Sequence, residues 1–179
     1  RNTITSAEVA SLTSPSTGLA SGKLIEQQLR ALLRAEKWGI LYLGIRGLEA
    51  FNQAYGFVAG QDVLRFTGMV LNAAVDEVGT DNDFTGHIGS DDFIVVTSAD
   101  RVEHLRDTIR QRFDKDVGTH YDFMTRMQGY LVVKDDAGND VQTPLMRLAI
   151  GLLTSDDGPF TDIREITEAA AEARRRDSS

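Results

Sequence analysis

The chain has 179 residues, 41% of them hydrophobic and 26% charged, the size and balance of one globular domain with a continuous core. Its formal net charge of -8 argues against non-specific nucleic-acid binding, which needs Lys and Arg clustered on phosphates. The absence of cysteine excludes a disulfide framework and a thiolate metal site, and His87, His104 and His120 are scattered without ligand spacing.

No apolar run is long enough to span a bilayer, and the mostly polar first twenty residues do not read as a secretory signal, so a cytoplasmic location is expected. The start at Arg1 reads as an excised piece of a longer protein, with residues 1–13 ending an upstream linker or signalling helix and residues 14–176 forming the domain. Ala7 to Leu12 carry a weak helical pattern, and Ser14-Pro15-Ser16-Thr17-Gly18 is a loop by composition. After Ser21, a plausible N-cap, the spacing of Leu24, Ile25, Gln28, Leu29, Leu32 and Leu33 predicts a helix over Gly22–Lys37. Trp38 to Ile45 is a short apolar run expected to be a buried central strand. Gly47 to Ala54 reads as a short helix stopped at Tyr55-Gly56. Gln61 to Val78 reads as a longer one, with Val63, Leu64, Met69, Val70, Leu71 and Val75 toward the core.

Asp83 to Ile88 and Phe93 to Thr97 flank Gly89-Ser90-Asp91-Asp92, the pattern of a β-hairpin. Asp100 is a good N-cap for a helix to Phe113 that turns Val102, Leu105, Ile109 and Phe113 to one side. Strands over Phe123–Lys134 and Val141–Leu153, joined by the polar turn Asp135–Asp140, are expected next. A helix from Thr161 to Arg175 closes the chain, with Arg174 to Ser179 fraying. This order predicts an α+β fold: one mostly antiparallel sheet of about five strands, helices packed on it and a ferredoxin-like inner part.

The segment richest in chemistry is the hairpin turn. Asp91 and Asp92 offer hard oxygen ligands of the kind Mg²⁺ takes together with substrate phosphates, and Gly89 lets a ligand approach the backbone. The same residue types are also ordinary turn formers.

A second segment, Leu41-Tyr42-Leu43-Gly44-Ile45-Arg46-Gly47-Leu48-Glu49-Ala50-Phe51-Asn52-Gln53-Ala54-Tyr55-Gly56-Phe57-Val58-Ala59-Gly60-Gln61-Asp62-Val63-Leu64, gives the turn a context. It resembles the stretch of the GGDEF (diguanylate cyclase) family in which a strand ends in Asp-x-Asp and is followed by Phe-Lys-x-Ile-Asn-Asp-x-x-Gly-His-x-x-Gly-Asp-x-x-Leu. Gly89-Ser90-Asp91-Asp92-Phe93 falls at that family's Gly-Gly-Asp/Glu-Glu-Phe. Ser16-Thr17-Gly18-Leu19 is similar to its opening Leu-Thr-Gly-Leu, and Leu148-Ala149-Ile150-Gly151 to its late Ser-x-Gly strand. The motifs keep their order from Ser14 to Ile150, most of the chain.

The resemblance implies a nucleotide-cyclase core and a homodimer in which each subunit holds one GTP, the 3′-hydroxyl of one attacking the α-phosphorus of the other to give cyclic di-GMP. It implies Mg²⁺ held by the first strand-end Asp, a neighbouring backbone carbonyl and the third hairpin acid, and guanine read by an Asn and an Asp. Carried over, the hairpin acids are Asp91, the metal ligand, and Asp92, with Gly89 and Ser90 at the nucleotide. The guanine-facing Asn is Asn52, and the basic helical residue near the triphosphate is Arg174, in Ala170-Ala171-Glu172-Ala173-Arg174.

The departures are specific. The strand-end metal ligand is Gly44, the second acid of that pair is Arg46, the guanine-facing Asp is Gln61, and Phe57 replaces the family's His. The product-inhibition motif Arg-x-x-Asp falls on Thr80 to Asp83 and keeps only the Asp. Residues 44 and 46 share a face on a strand, so a face that should be acidic carries no side chain and one permanent cation. An amide at Gln61 offers one acceptor where a carboxylate offers two. These changes point to a domain without cyclase activity that serves as a nucleotide-binding or dimerisation relay, its ligand GTP or cyclic di-GMP. The alternatives are a weak cyclase holding metal through Asp91, Asp92 and the Gly44–Ile45 backbone, and a scaffold with no nucleotide site. Arg46 is expected either to bind phosphate in place of a metal or to form a surface ion pair. The Asp135–Asp140 turn lacks calcium-loop spacing, Arg174, Arg175 and Arg176 also suit a helix C-terminus, and Trp38 and Tyr42 suit the core or its border.

Overall fold

A computed structural model describes residues 12–177. All but Leu12 of the weak helical pattern expected at Ala7 to Leu12, residues 1–11 of the expected linker over residues 1–13, and the last two residues fall outside that range.

Helix α1 spans Gly22–Leu32 and buries Ile25, Leu29 and Leu32, the stripe its spacing dictates; it stops at Leu32 rather than Lys37. Strand β1, Trp38–Arg46, follows. Helices α2, Leu48–Tyr55, and α3, Phe57–Val78, come next. Helix α3 begins four residues before Gln61 and buries Gly60, Val63, Leu64, Thr67, Gly68, Val70, Leu71 and Ala74. Val75 packs partly buried against this core, but Met69 lies 71% exposed, because the small residues Thr67 and Gly68 occupy the inward stripe.

Strands β2, Phe84–Ile88, and β3, Asp92–Ser98, form the expected hairpin, and α4 runs over Val102–Asp116 with Val102, Leu105, Ile109 and Phe113 buried. Its N-cap is Arg101 rather than Asp100, which instead accepts from Ser98 Oγ at 2.6 Å.

The segment expected as one strand over Phe123–Lys134 divides in two. Phe123–Gln128 is the short helix α5, started by Asp122, whose carboxylate accepts from Thr125 N, and ended by Gly129 at φ 85; only Tyr130–Lys134 is strand, β4. The expected strand over Val141–Leu153 also divides, at Pro144, into β5, Asp140–Pro144, and β6, Arg147–Thr154. Helix α6, Ile163–Arg176, is opened by a reciprocal capping box between Asp162 and Glu165. Arg174 to Arg176 are helical rather than frayed.

The main sheet has the order β2-β3-β1-β6, every pair antiparallel, and β4-β5 form a separate two-stranded ribbon. The α+β expectation holds with four strands in the main sheet. The pleat sorts the side chains into two cores. Leu41, Leu43, Phe93, Val95, Leu148 and Ile150 pack with α2, α3 and α4, while Ile40, Ile94, Val96 and Leu153 pack with α1 and α6. Tyr42, Gly44 and Arg46 share the pleat face of Ile40, so the end of β1 that carries the candidate site lies under α6.

Both rims of the sheet are occupied. At β2, His87 N donates to Ala20 O at 2.8 Å, and Ala20 forms a parallel bridge with Gly86. At β6, Ile150 N donates to Asp177 Oδ2 at 2.7 Å, and Arg110 donates to Leu148 O at 3.0 Å and to Asp177 Oδ2 at 3.1 Å.

Candidate functional site

The register places the two motifs side by side. Leu43 pairs with Phe93 and Gly44 with Ala149, so Asp92, one residue before Phe93, stands beside Gly44 at the strand ends. On α6, Ile166 and Ala170 are buried and Arg174 continues their stripe one turn on, which aims its guanidinium at the same place. Arg174 Nη1 donates to Asp92 Oδ1 at 2.7 Å and to Leu43 O at 3.5 Å, and the guanidinium lies 4.4 Å from the centre of the Tyr42 ring. A Cβ built on Gly44 would lie 2.9 Å from Arg174 Nη1 and 3.4 Å from Asp92 Oδ1. Gly44 has no left-handed φ, so what its glycine provides is room for the guanidinium rather than a special conformation.

Tyr42 completes this arrangement. Burial first, then the neighbouring Asp92 carboxylate, push its phenol above the ordinary value, with Arg174 opposing. The phenol therefore stays protonated, reaches toward Asp92 Oδ2 at 3.5 Å and offers its ring face to the guanidinium. The side chains of Arg174 and Asp92 retain 23% and 30% exposure, so the pair lies between a surface ion pair and a buried one.

Gly44, Ile45, Arg46, Asp91, Asp92, Ala149, Arg174 and Arg175 line one cleft of about 390 Å³. Arg46 also donates to the carbonyl of Asp177, and Arg175 pairs with Glu172. A second cleft, of about 570 Å³, is lined by Leu48, Glu49, Asn52, Gln53, Phe57 and Asp91. Asn52 Oδ1 is buried with no hydrogen-bond partner among the described residues, pressed against Gly60, where any Cβ would collide with it. Phe57 stands 74% exposed at this cleft. Asp91 is exposed, accepts from Ser90 Oγ at 3.3 Å and borders both clefts.

The fold thus brings Gly44, Arg46, Asp91, Asp92 and Arg174 to one cleft, and Asn52 and Asp91 to the other. Gln61 sits on α3 beside Gly60 and lines neither. Gly89, at φ 58 with open space around it, and Ser90 form the exposed turn. Asp83 accepts from Thr80 N at 2.9 Å and from Thr80 Oγ1 at 2.5 Å.

His87, set aside in the sequence, is a buried hub. A carbonyl only accepts, so Nε2 donates to Ser90 O at 2.9 Å, while Nδ1 shares hydrogen bonds with Ser14 Oγ at 2.6 Å and Thr17 Oγ1 at 3.2 Å. Its ring stacks on Phe93 at 4.7 Å. Tyr42 could have been found from its position, two residues before Gly44 on the same face. His87, on the rim strand, carried no such signal.

The Mg²⁺ set implied by the family resemblance is incomplete in these residues. Of its two carboxylates only Asp91, on the exposed turn, is present; Gly44 has no ligand atom beyond its backbone, the neighbouring Asp92 is paired with Arg174, and among the described residues no three His, Asp or Glu side chains gather into a metal-holding group.

A four-stranded antiparallel sheet with helices on both faces and a strand-end site beside an acidic hairpin turn defines a nucleotide-cyclase type of domain. The chain belongs to the GGDEF domain family: the family model described as diguanylate cyclase, GGDEF domain, matches residues 12–149. Among solved structures it is similar to the Pseudomonas aeruginosa diguanylate cyclase SiaD in complex with its activator SiaC, with a TM-score of 0.67, 15% identity and 94% of this chain covered; the match spans 58% of the SiaD chain. The FimX GGDEF domain from Pseudomonas aeruginosa matches with a TM-score of 0.67 and 10% identity over 93% of both chains. The coiled coil and GGDEF domain of DgcB from Caulobacter crescentus, in complex with c-di-GMP, matches with a TM-score of 0.65 and 18% identity over 94% of this chain and 81% of that one. No curated protein sequence matches. Among the described residues no helix is long and apolar enough to cross a membrane.

Proposed function

We propose that this GGDEF domain, read as residues 14–176, has no cyclase activity and acts in cyclic di-GMP signalling as a cytoplasmic nucleotide-binding or dimerisation relay. The observation that carries the reading is the Arg174 guanidinium, which lies against Asp92 in the room left by Gly44. A metal contributes several kcal/mol to a phosphoryl-transfer transition state. Each ~1.4 kcal/mol withdrawn slows the reaction tenfold, so a strand end without its carboxylate, beside a hairpin whose second acid is committed to an arginine, removes most of the rate. Neighbours solved with an activator and with c-di-GMP support a domain that takes ligands or partners.

An assay with GTP and Mg²⁺ or Mn²⁺ tests this. No cyclic di-GMP is expected, and robust production overturns the reading. The exposed Asp91, bordering both clefts, favours a second reading, a weak cyclase; in that case Asp91→Ala abolishes whatever turnover is seen.

A further inference from the structure

We infer that Arg174 stands in for the divalent cation, so that the cleft beneath α6 takes the phosphate groups of a nucleotide without metal; the inference rests on the nucleotide-binding part of the function proposed above. Three features of the cleft carry it.

The first is the seat. The guanidinium is held by a carboxylate at 2.7 Å, a main-chain carbonyl at 3.5 Å and an aromatic face at 4.4 Å, the kinds of group that hold a cation at a strand end. It fits there because residue 44 has no Cβ: one built on Gly44 would press on Nη1 at 2.9 Å. The absent side chain at residue 44 and the guanidinium share one space.

The second is the free side of that cation. Both hydrogen bonds from Arg174 to protein leave through Nη1, and among the described residues Nε and Nη2 have no protein acceptor. Guanidinium N–H groups in a fixed fork match phosphate oxygens, and the fork is charged at every ordinary pH.

The third is the charge an incoming ion meets. The walls carry Arg46, Arg174 and Arg175 with Asp91 and Asp92. Arg175 is shared with Glu172, and Asp92 is committed to Arg174. A divalent cation entering here meets one uncommitted carboxylate, Asp91, and a fixed positive charge already in its place. A phosphate meets a held guanidinium with donors uncommitted among the described residues, and Asp91 sits out on the exposed turn.

Calorimetry of the whole chain with GTP and with cyclic di-GMP, in EDTA and in Mg²⁺, tests the inference and separates a phosphate chain from a phosphodiester. At least one nucleotide is expected to bind equally well in both buffers, and Arg174→Gln to weaken it by about tenfold or more, the loss of a charge-assisted hydrogen bond. A requirement for Mg²⁺ overturns the inference. So does failure of both nucleotides to bind, which leaves the non-catalytic reading standing, since only cyclase turnover removes that. A second measurement does not depend on Arg174→Gln folding well. Electron paramagnetic resonance of Mn²⁺ alone should show about tenfold tighter retention by the Gly44→Asp/Arg174→Ala double variant than by the native chain, a gain of one carboxylate ligand. Equal retention by the two overturns the assignment.

Discussion

The two clefts that meet at Asp91 differ in how their polar groups are met. On the Asn52 side the polar demand is unmet: a buried amide oxygen lacks a partner among the described residues and an aromatic ring stands exposed at the mouth. On the Gly44 side the demand is met from within, because Asp92, the Leu43 carbonyl and the Tyr42 ring all turn to one guanidinium. A buried polar group without a partner costs stability, whereas one whose partners lie within the protein does not.

The strongest way to break this contrast is Gly151→Ala. A Cβ there would lie 2.6 Å from Ala170 O and 2.9 Å from Arg174 Cα, backbone that cannot yield without moving α6. Urea denaturation is expected to show a loss of about 1–3 kcal/mol, the usual cost of overpacking. A smaller effect, of opposite sign, sharpens it. Asn52→Leu replaces the unpaired amide by an apolar group of similar shape, and is expected to raise stability by up to about 1 kcal/mol while abolishing nucleotide binding, read by denaturation and calorimetry.

The smallest effect is a control outside both clefts. His120 packs against Phe66 at 4.8 Å, and burial holds its imidazole below the ordinary value, with Asp62 partly opposing. The unfolded chain then takes up the proton first. This contribution is complete above about pH 6.5 and is lost as the pH falls from there through the depressed folded value. Asp122 and Glu165, held low chiefly by the amides of Thr125 and Thr161, act in the same direction only at more acidic pH. Thermal melts of the native chain should decline on going from about pH 7 to 5.5, and those of His120→Phe should not.

Much of this architecture was legible in the chain. The apolar run Trp38 to Ile45 and the Gly-Ser-Asp-Asp turn gave the central strand and the hairpin, because period and turn chemistry are local. The ion pair at the heart of the site was not, since Asp92 and Arg174 lie 82 residues apart and only register and helix phase bring them together. Phe123 to Gln128 was expected as strand but is helix, its Phe123, Met124 and Met127 all exposed, and the Asp122–Thr125 cap was the overlooked signal. Pro144 likewise marked a break inside what read as one strand.

The occupied rims of the sheet have a consequence for assembly. Free strand edges are templates for pairing with another chain, and here Ala20 covers one while Arg110 and Asp177 cap the other. Two copies therefore cannot fuse their main sheets into one without first undoing these contacts, so self-association is left to the helical surfaces, the loops and the β4-β5 ribbon.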